Sequence, residues 1–250
     1  MLQIQPVYKS HTEYEALAQR QGLFFEVLEL SFDPVSDAAE AYYRDHPRVQ
    51  AIHGAFMDVN PGSGDSLIRG VTDERYVRSC EQALACAAKS VVFHSTCFPF
   101  LRGNYLDMWA DRSAAYYTAL AEKYSGLQIY IENSPDIDPY PIHALMQRIS
   151  APNVHVCLDI GHIHYSGTPV EKWFDVLGSR TTYLHLSDNM GVYDDHLPLG
   201  EGTVDWQRVS ALCAYLPADT PITLEVGDLN GIKKSLRFLK EHDLFGGVVK

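Results

Sequence analysis

Short apolar runs rich in β-branched and aromatic residues alternate along the chain with longer stretches whose apolar positions recur at helical spacing. The runs at residues 2–6, 23–30, 49–54, 90–95, 128–133, 154–159, 182–187 and 221–226 read as strands. Residues 12–21, 36–46, 73–89, 106–124, 139–149, 169–177, 205–215 and 231–242 read as the helices that follow them. Turn chemistry marks the boundaries. Gly22 closes the first helix, Pro47 ends the second, Gly126 ends the fourth, and Thr72 stands where a cap of the third is expected. A strand-then-helix alternation implies parallel strands with right-handed crossovers. Eight such units predict an α/β fold, a single (β/α)8 TIM barrel forming one domain over residues 1–250. An open doubly wound sheet would carry a Gly-rich phosphate turn after its first strand, and the chain has SHTEYE there.

Composition narrows the function classes. At 250 residues, with 46% hydrophobic and 21% charged positions, the chain suits one large core. The five cysteines, Cys80, Cys86, Cys97, Cys157 and Cys213, form no CxxC pair, so reduced thiols in a cytosolic setting are expected. Cys97, in the loop after the fourth strand, is the one placed to meet a ligand. The amino terminus shows no basic segment followed by an apolar one, and no apolar run reaches the length of a membrane span. A cytoplasmic protein with no membrane partner is therefore expected. A net charge of −12 weighs against nucleic acid, whose binding needs a basic surface that displaces counterions. Lys233, Lys234, Arg237 and Lys240 fall at spacings that predict the solvated face of the last helix. Trp109, Trp173 and Trp206 read as packing residues.

The polar residues inside the strand pattern are the ones that change the picture. Parallel barrel strands deliver their last residues to one rim, where such barrels place their chemistry. Here those positions hold His53, His94, Glu132, Asp159, His162, His185 and Glu225, joined by Asp194 and His196 from the loop after strand seven. Any one of them, taken singly, is as readily a hydrogen-bonded structural group. Their collection on one rim points to metal. Imidazole with carboxylate suits zinc, manganese or a similar ion better than calcium. The set exceeds what one ion can use, which implies one to three ions, or one ion with acid/base groups beside it. Arg69 and Arg102 are the nearest candidates to bind a substrate phosphate.

These residues resemble the xylose isomerase-like barrel superfamily, which groups sugar and sugar-phosphate isomerases and epimerases with endonuclease IV-type nucleases. The resemblance spans nearly the whole chain. It implies a shared divalent metal held by Glu132, Asp159, His185 and Glu225, from strands five to eight. Asp58-Val-Asn-Pro-Gly-Ser, Arg69, Thr72 and HLPLGEGTVDW are similar to the broad sugar phosphate isomerase/epimerase group. Asp159-x-x-His162, His53, His94 and Asp194-x-His196 with Gly200-x-Gly202 match the extra ligands of the trinuclear zinc nucleases. The leading expectation is isomerisation or epimerisation of a small-molecule sugar or sugar phosphate. Glu132 and Glu225 would exchange the proton and His162 would stabilise the oxyanion. The alternatives are a multinuclear metal phosphoesterase and a non-catalytic metal-bearing barrel. A homo-oligomer is compatible with each.

Overall fold

A computed structural model describes residues 1–29 and 35–248. Its strands are β1 (Leu2–Ile4), β2 (Phe24–Leu28), β3 (Val49–His53), β4 (Ser90–His94), β5 (Gln128–Glu132), β6 (Val154–Asp159), β7 (Thr181–Leu186) and β8 (Ile222–Leu224). They close a barrel in sequence order. Helices α1 (His11–Gln21), α2 (Val35–Tyr43), α3 (Ser66–Ala85), α4 (Asn104–Lys123) and α5 (Tyr140–Met146) follow β1 to β5 in turn. After β6 come α6 (Ile160–Ser166) and α7 (Val170–Leu177), then α8 (Trp206–Cys213) after β7 and α9 (Leu229–Glu241) after β8. Strands covered on both faces must be apolar throughout, which is why runs such as SVVFH lack a polar alternation.

Two compact units make up the chain, residues 1–26 with 157–250, and residues 27–156. In the first, Ile4, Leu184, Leu186, Leu224, Trp173 and Ile232 are buried. Its parallel register sets His185 beside Thr223. In the second, Ile52, Val91, Phe93, Ile131, Trp109 and Tyr117 are buried, and Tyr76 stacks on Phe93 at 4.0 Å between ring centroids. Its register sets His94 beside Glu132. Removing each such side chain from water contributes roughly 1.5–3 kcal/mol.

Several boundaries differ from the sequence expectation. Thr72 caps nothing: α3 begins at Ser66, where the Asp65 carboxylate accepts from Leu67 N at 2.8 Å. Thr72 is buried within that helix, its hydroxyl donating to Ile68 O and accepting from Asn60 N. The second helix stops at Tyr43, and Asp45 at φ 52° turns the chain before Pro47 is reached. The short α6 has no counterpart among the expected helices. Leu30, the expected end of strand two, lies outside the described residues. Cys97, the cysteine expected to be placed to meet a ligand, is 1% exposed, and burial pushes its thiol up. The three tryptophans are buried, as expected. On α9, Ile232, Ser235, Leu236 and Leu239 face inward, while Lys233, Lys234, Arg237 and Lys240 are exposed. Among the described residues, no helix is long and apolar enough to cross a membrane.

Candidate metal centre

In the unit of residues 27–156, three adjacent strands each end on a candidate ligand: His53 on β3, His94 on β4 and Glu132 on β5. Glu132 Oε2 lies 3.4 Å from His53 Nε2 and 3.6 Å from His94 Nε2. The two imidazoles meet edge to face at 5.1 Å, with Phe56 packed against both. His53 Nδ1 sits 3.1 Å from Gly54 O, so that nitrogen carries the proton and Nε2 turns its lone pair toward Glu132. Gly54 is required here, because a Cβ would stand 2.3 Å from the Phe93 ring.

In the other unit the loop after β7 is organised by Asp188, a fully buried carboxylate. Its Oδ1 accepts from Asn189 N and Val204 N, and its Oδ2 from Gly200 N and the Trp206 indole, at 2.8 to 3.2 Å. The backbones of Asp188 and Leu197 also pair antiparallel, which folds residues 189–196 back toward their strand. Two glycines make this possible. Gly200 holds φ at 84°, and a Cβ on Gly202 would lie 2.2 Å from Asp188 Oδ1.

The returning loop brings Asp194 and His196 to His162. Asp194 Oδ2 lies 3.2 Å from His162 Nε2 and 3.0 Å from His196 Nε2. Partial burial raises the Asp194 carboxyl, but hydrogen bonds from both imidazoles outweigh it and hold the group well below the usual carboxylate range. Burial likewise lowers His196, and the Asp194 hydrogen bond with the charges of Glu225, Asp194 and Asp159 overcomes it, raising the imidazole to about 10. His196 Nδ1 donates to Glu225 O at 2.7 Å. Asp159 closes β6 and caps α6, its Oδ1 accepting from His162 N at 2.6 Å.

His185 and Glu225 form a further buried pair, with His185 Nδ1 3.3 Å from Glu225 Oε1. Behind them is a residue that the sequence places in a buried strand but not among the candidate site residues. Glu26, in the middle of β2 and fully buried, lies with Oε2 3.1 Å from His185 Nε2. Tyr183 and Thr223 donate to that same oxygen, and Gln3 donates to the Tyr183 hydroxyl. Burial, then the neighbouring Glu26 charge, pushes the Tyr183 hydroxyl well up, so it stays a donor.

These donor sets fit a divalent ion. A tetrahedral zinc with bonds of about 2.0–2.1 Å separates its ligand atoms by roughly 3.3–3.4 Å. The His53–Glu132 and His185–Glu225 separations, 3.4 and 3.3 Å, match that spacing. The ligand atoms of His53, His94 and Glu132 lie within 4.8 Å of one another, as do those of His162, Asp194 and His196. Each is a pair of imidazoles with one carboxylate, the composition of many open catalytic zinc sites. The two arginines are turned to their own loops: Arg69 donates to Ser63 O, and Arg102 to Pro99 O and Leu101 O.

A family model described as xylose isomerase-like TIM barrel matches residues 16–242. The uncharacterized protein MJ1311 of Methanocaldococcus jannaschii is 29% identical over 211 residues, spanning 80% of this chain and 72% of that protein. The solved structure of a D-tagatose 3-epimerase-like protein aligns with a TM-score of 0.80 at 24% identity, covering 96% of each chain. The TTHB071 protein from Thermus thermophilus, soaked with ZnCl2, aligns with a TM-score of 0.78 at 24% identity, again over 96% of each chain. At such identities these two likenesses concern the fold.

Proposed function

Because the chain belongs to the xylose isomerase-like TIM barrel family, we propose that it is a divalent-metal-dependent isomerase or epimerase of a small sugar or sugar phosphate. Glu132, Asp159, His185 and Glu225 would hold the shared ion, zinc or manganese. The observation that carries this reading is the His185–Glu225 pair, 3.3 Å apart and almost wholly buried at the end of β7 and just beyond β8. Glu132 closes β5 and Asp159 closes β6, and parallel barrels place their chemistry at such strand ends. The D-tagatose 3-epimerase-like neighbour supports sugar epimerisation as the chemistry, and the zinc-soaked neighbour supports zinc.

A divalent ion in this set supplies Lewis-acid polarisation of a carbonyl oxygen. The chain's own groups do the rest. Glu225 removes the proton from the carbon beside the carbonyl and Glu132 returns it, each carboxylate being able to take up or release a proton in turn. His162 donates to the oxygen on which negative charge develops. Arg69 and Arg102 already donate to loop carbonyls, which favours an unphosphorylated ketose as the substrate.

Deuterium wash-in from heavy water into a panel of ketoses tests the proton transfer. Glu225→Gln is expected to abolish exchange while the fold persists; full retained exchange removes Glu225 from the reaction. A second reading, a multinuclear phosphoesterase, is favoured by the two additional imidazole–carboxylate groups, His53–His94–Glu132 and His162–Asp194–His196. Three filled sites by anomalous scattering, with hydrolysis of a phosphodiester and no deuterium exchange, would establish it instead.

A further inference from the structure

Resting on the metal site proposed above, we infer that Glu26 is a positioning residue that fixes the ring of His185, presenting Nδ1 to the ion and keeping the proton on Nε2. The geometry is specific. A carboxylate only accepts hydrogen bonds, so the 3.1 Å contact between Glu26 Oε2 and His185 Nε2 requires a proton on that nitrogen. The opposite ring nitrogen, Nδ1, is the one 3.3 Å from Glu225 Oε1, on the side of the proposed ligands. An imidazole that ligates through one nitrogen and donates from the other to a carboxylate is held in tautomer and in plane, and is made a better ligand.

Two further contacts fix the carboxylate itself. Tyr183 Oη donates to Glu26 Oε2 at 2.5 Å and Thr223 Oγ1 at 2.8 Å, so this oxygen already faces three donors and stands behind the ligands rather than among them. The other oxygen, Oε1, accepts from Gln5 Nε2 at 3.2 Å. The same Gln5 nitrogen also donates to Glu225 Oε1. One amide therefore ties the group behind His185 to the carboxylate beside it, and the orientation of both proposed ligands is set from β2 and the residue following β1.

The test uses the zinc-loaded protein. Long-range proton–nitrogen correlation spectra, with His185→Asn used only to assign the resonance, should show the His185 proton on Nε2 and zinc on Nδ1; zinc on Nε2 in the wild type overturns the inference. In chelator competition Glu26→Gln should bind zinc about 10- to 100-fold more weakly. The absorption bands of its cobalt form should shift. Glu26→Asp, which keeps the carboxylate charge that glutamine lacks, should recover part of the affinity. Unchanged zinc affinity and an unchanged cobalt spectrum in Glu26→Gln overturn the inference. Thr223→Val removes one of the hydrogen bonds that fix the same carboxylate without touching the imidazole, and should weaken zinc binding less than Glu26→Gln does. An equal loss in Thr223→Val would mean that the carboxylate acts through packing alone. Wild-type protein that binds neither zinc nor cobalt overturns this inference and the proposed metal site together. Wild type that binds metal normally while Glu26→Gln matches it overturns this inference alone.

Discussion

Asp194 and His196 titrate as a pair whose members pull in opposite directions. The Asp194 carboxyl is depressed in the folded chain, so its contribution to stability is present above the usual carboxylate value near 3.8 and is lost as pH falls toward the folded value. The His196 imidazole is raised to about 10, so its contribution is complete below its ordinary value of 6.5 and is lost as pH rises to about 10. The metal-free protein should therefore lose stability on the alkaline side of neutrality, between those two His196 values, as read by urea midpoints across a pH series. His196→Gln should flatten that slope, and an equal alkaline loss in the variant would place its cause elsewhere. Most of the clustered side chains of the candidate site are legible in the sequence, because an imidazole or carboxylate at the end of an apolar run is conspicuous. Glu26 is not. A glutamate in the middle of a strand reads the same whichever face it takes, and its partners Tyr183 and Thr223 lie 157 and 197 positions away.

The loop between β7 and α8 shows how an element can be held by one buried carboxylate. Gly202→Ala would drive a methyl group into Asp188 Oδ1 and into the backbone of Asn189, with Cβ distances of 2.2 to 2.7 Å. The expected cost is about 1–3 kcal/mol, read as a lower urea midpoint at unchanged slope. Unchanged stability would show that the loop can yield. The strands are readable because a closed barrel demands short unbroken apolar runs. Two helices mislead. In α6, IGHIHYS has a glycine and two β-branched isoleucines and carries little helical signal of its own; the Asp159 cap and the packing of Ile160 and Ile163 make the turn. In α3 a threonine beside an aspartate imitates a start, while the true cap, Asp65, stands at the end of a glycine-rich loop.

For the whole molecule, the alternation of eight strands and their helices is enough to give the closed barrel, since right-handed crossovers leave few other arrangements. The net charge of −12 weighs against a polyanionic partner. Metal binding should be visible at this scale too. A ligand that binds only the folded chain adds about 2.7 kcal/mol at a hundredfold excess over its dissociation constant, which for a chain of this size raises Tm by about 5–10 °C. Calorimetric scans with zinc and with a chelator should show this gap, and superimposable scans would argue against any tight resident ion.

Asp159 answers to two neighbours at once. The oxygen that would face an ion belongs to the same side chain that receives an amide from the first turn of α6, and the residue donating that amide is His162. Truncating the side chain would slacken the turn from which His162 projects, so a loss of activity there could not be ascribed to missing coordination alone. Asparagine, which keeps a carbonyl for the turn while removing the charge, is the replacement that separates the two duties.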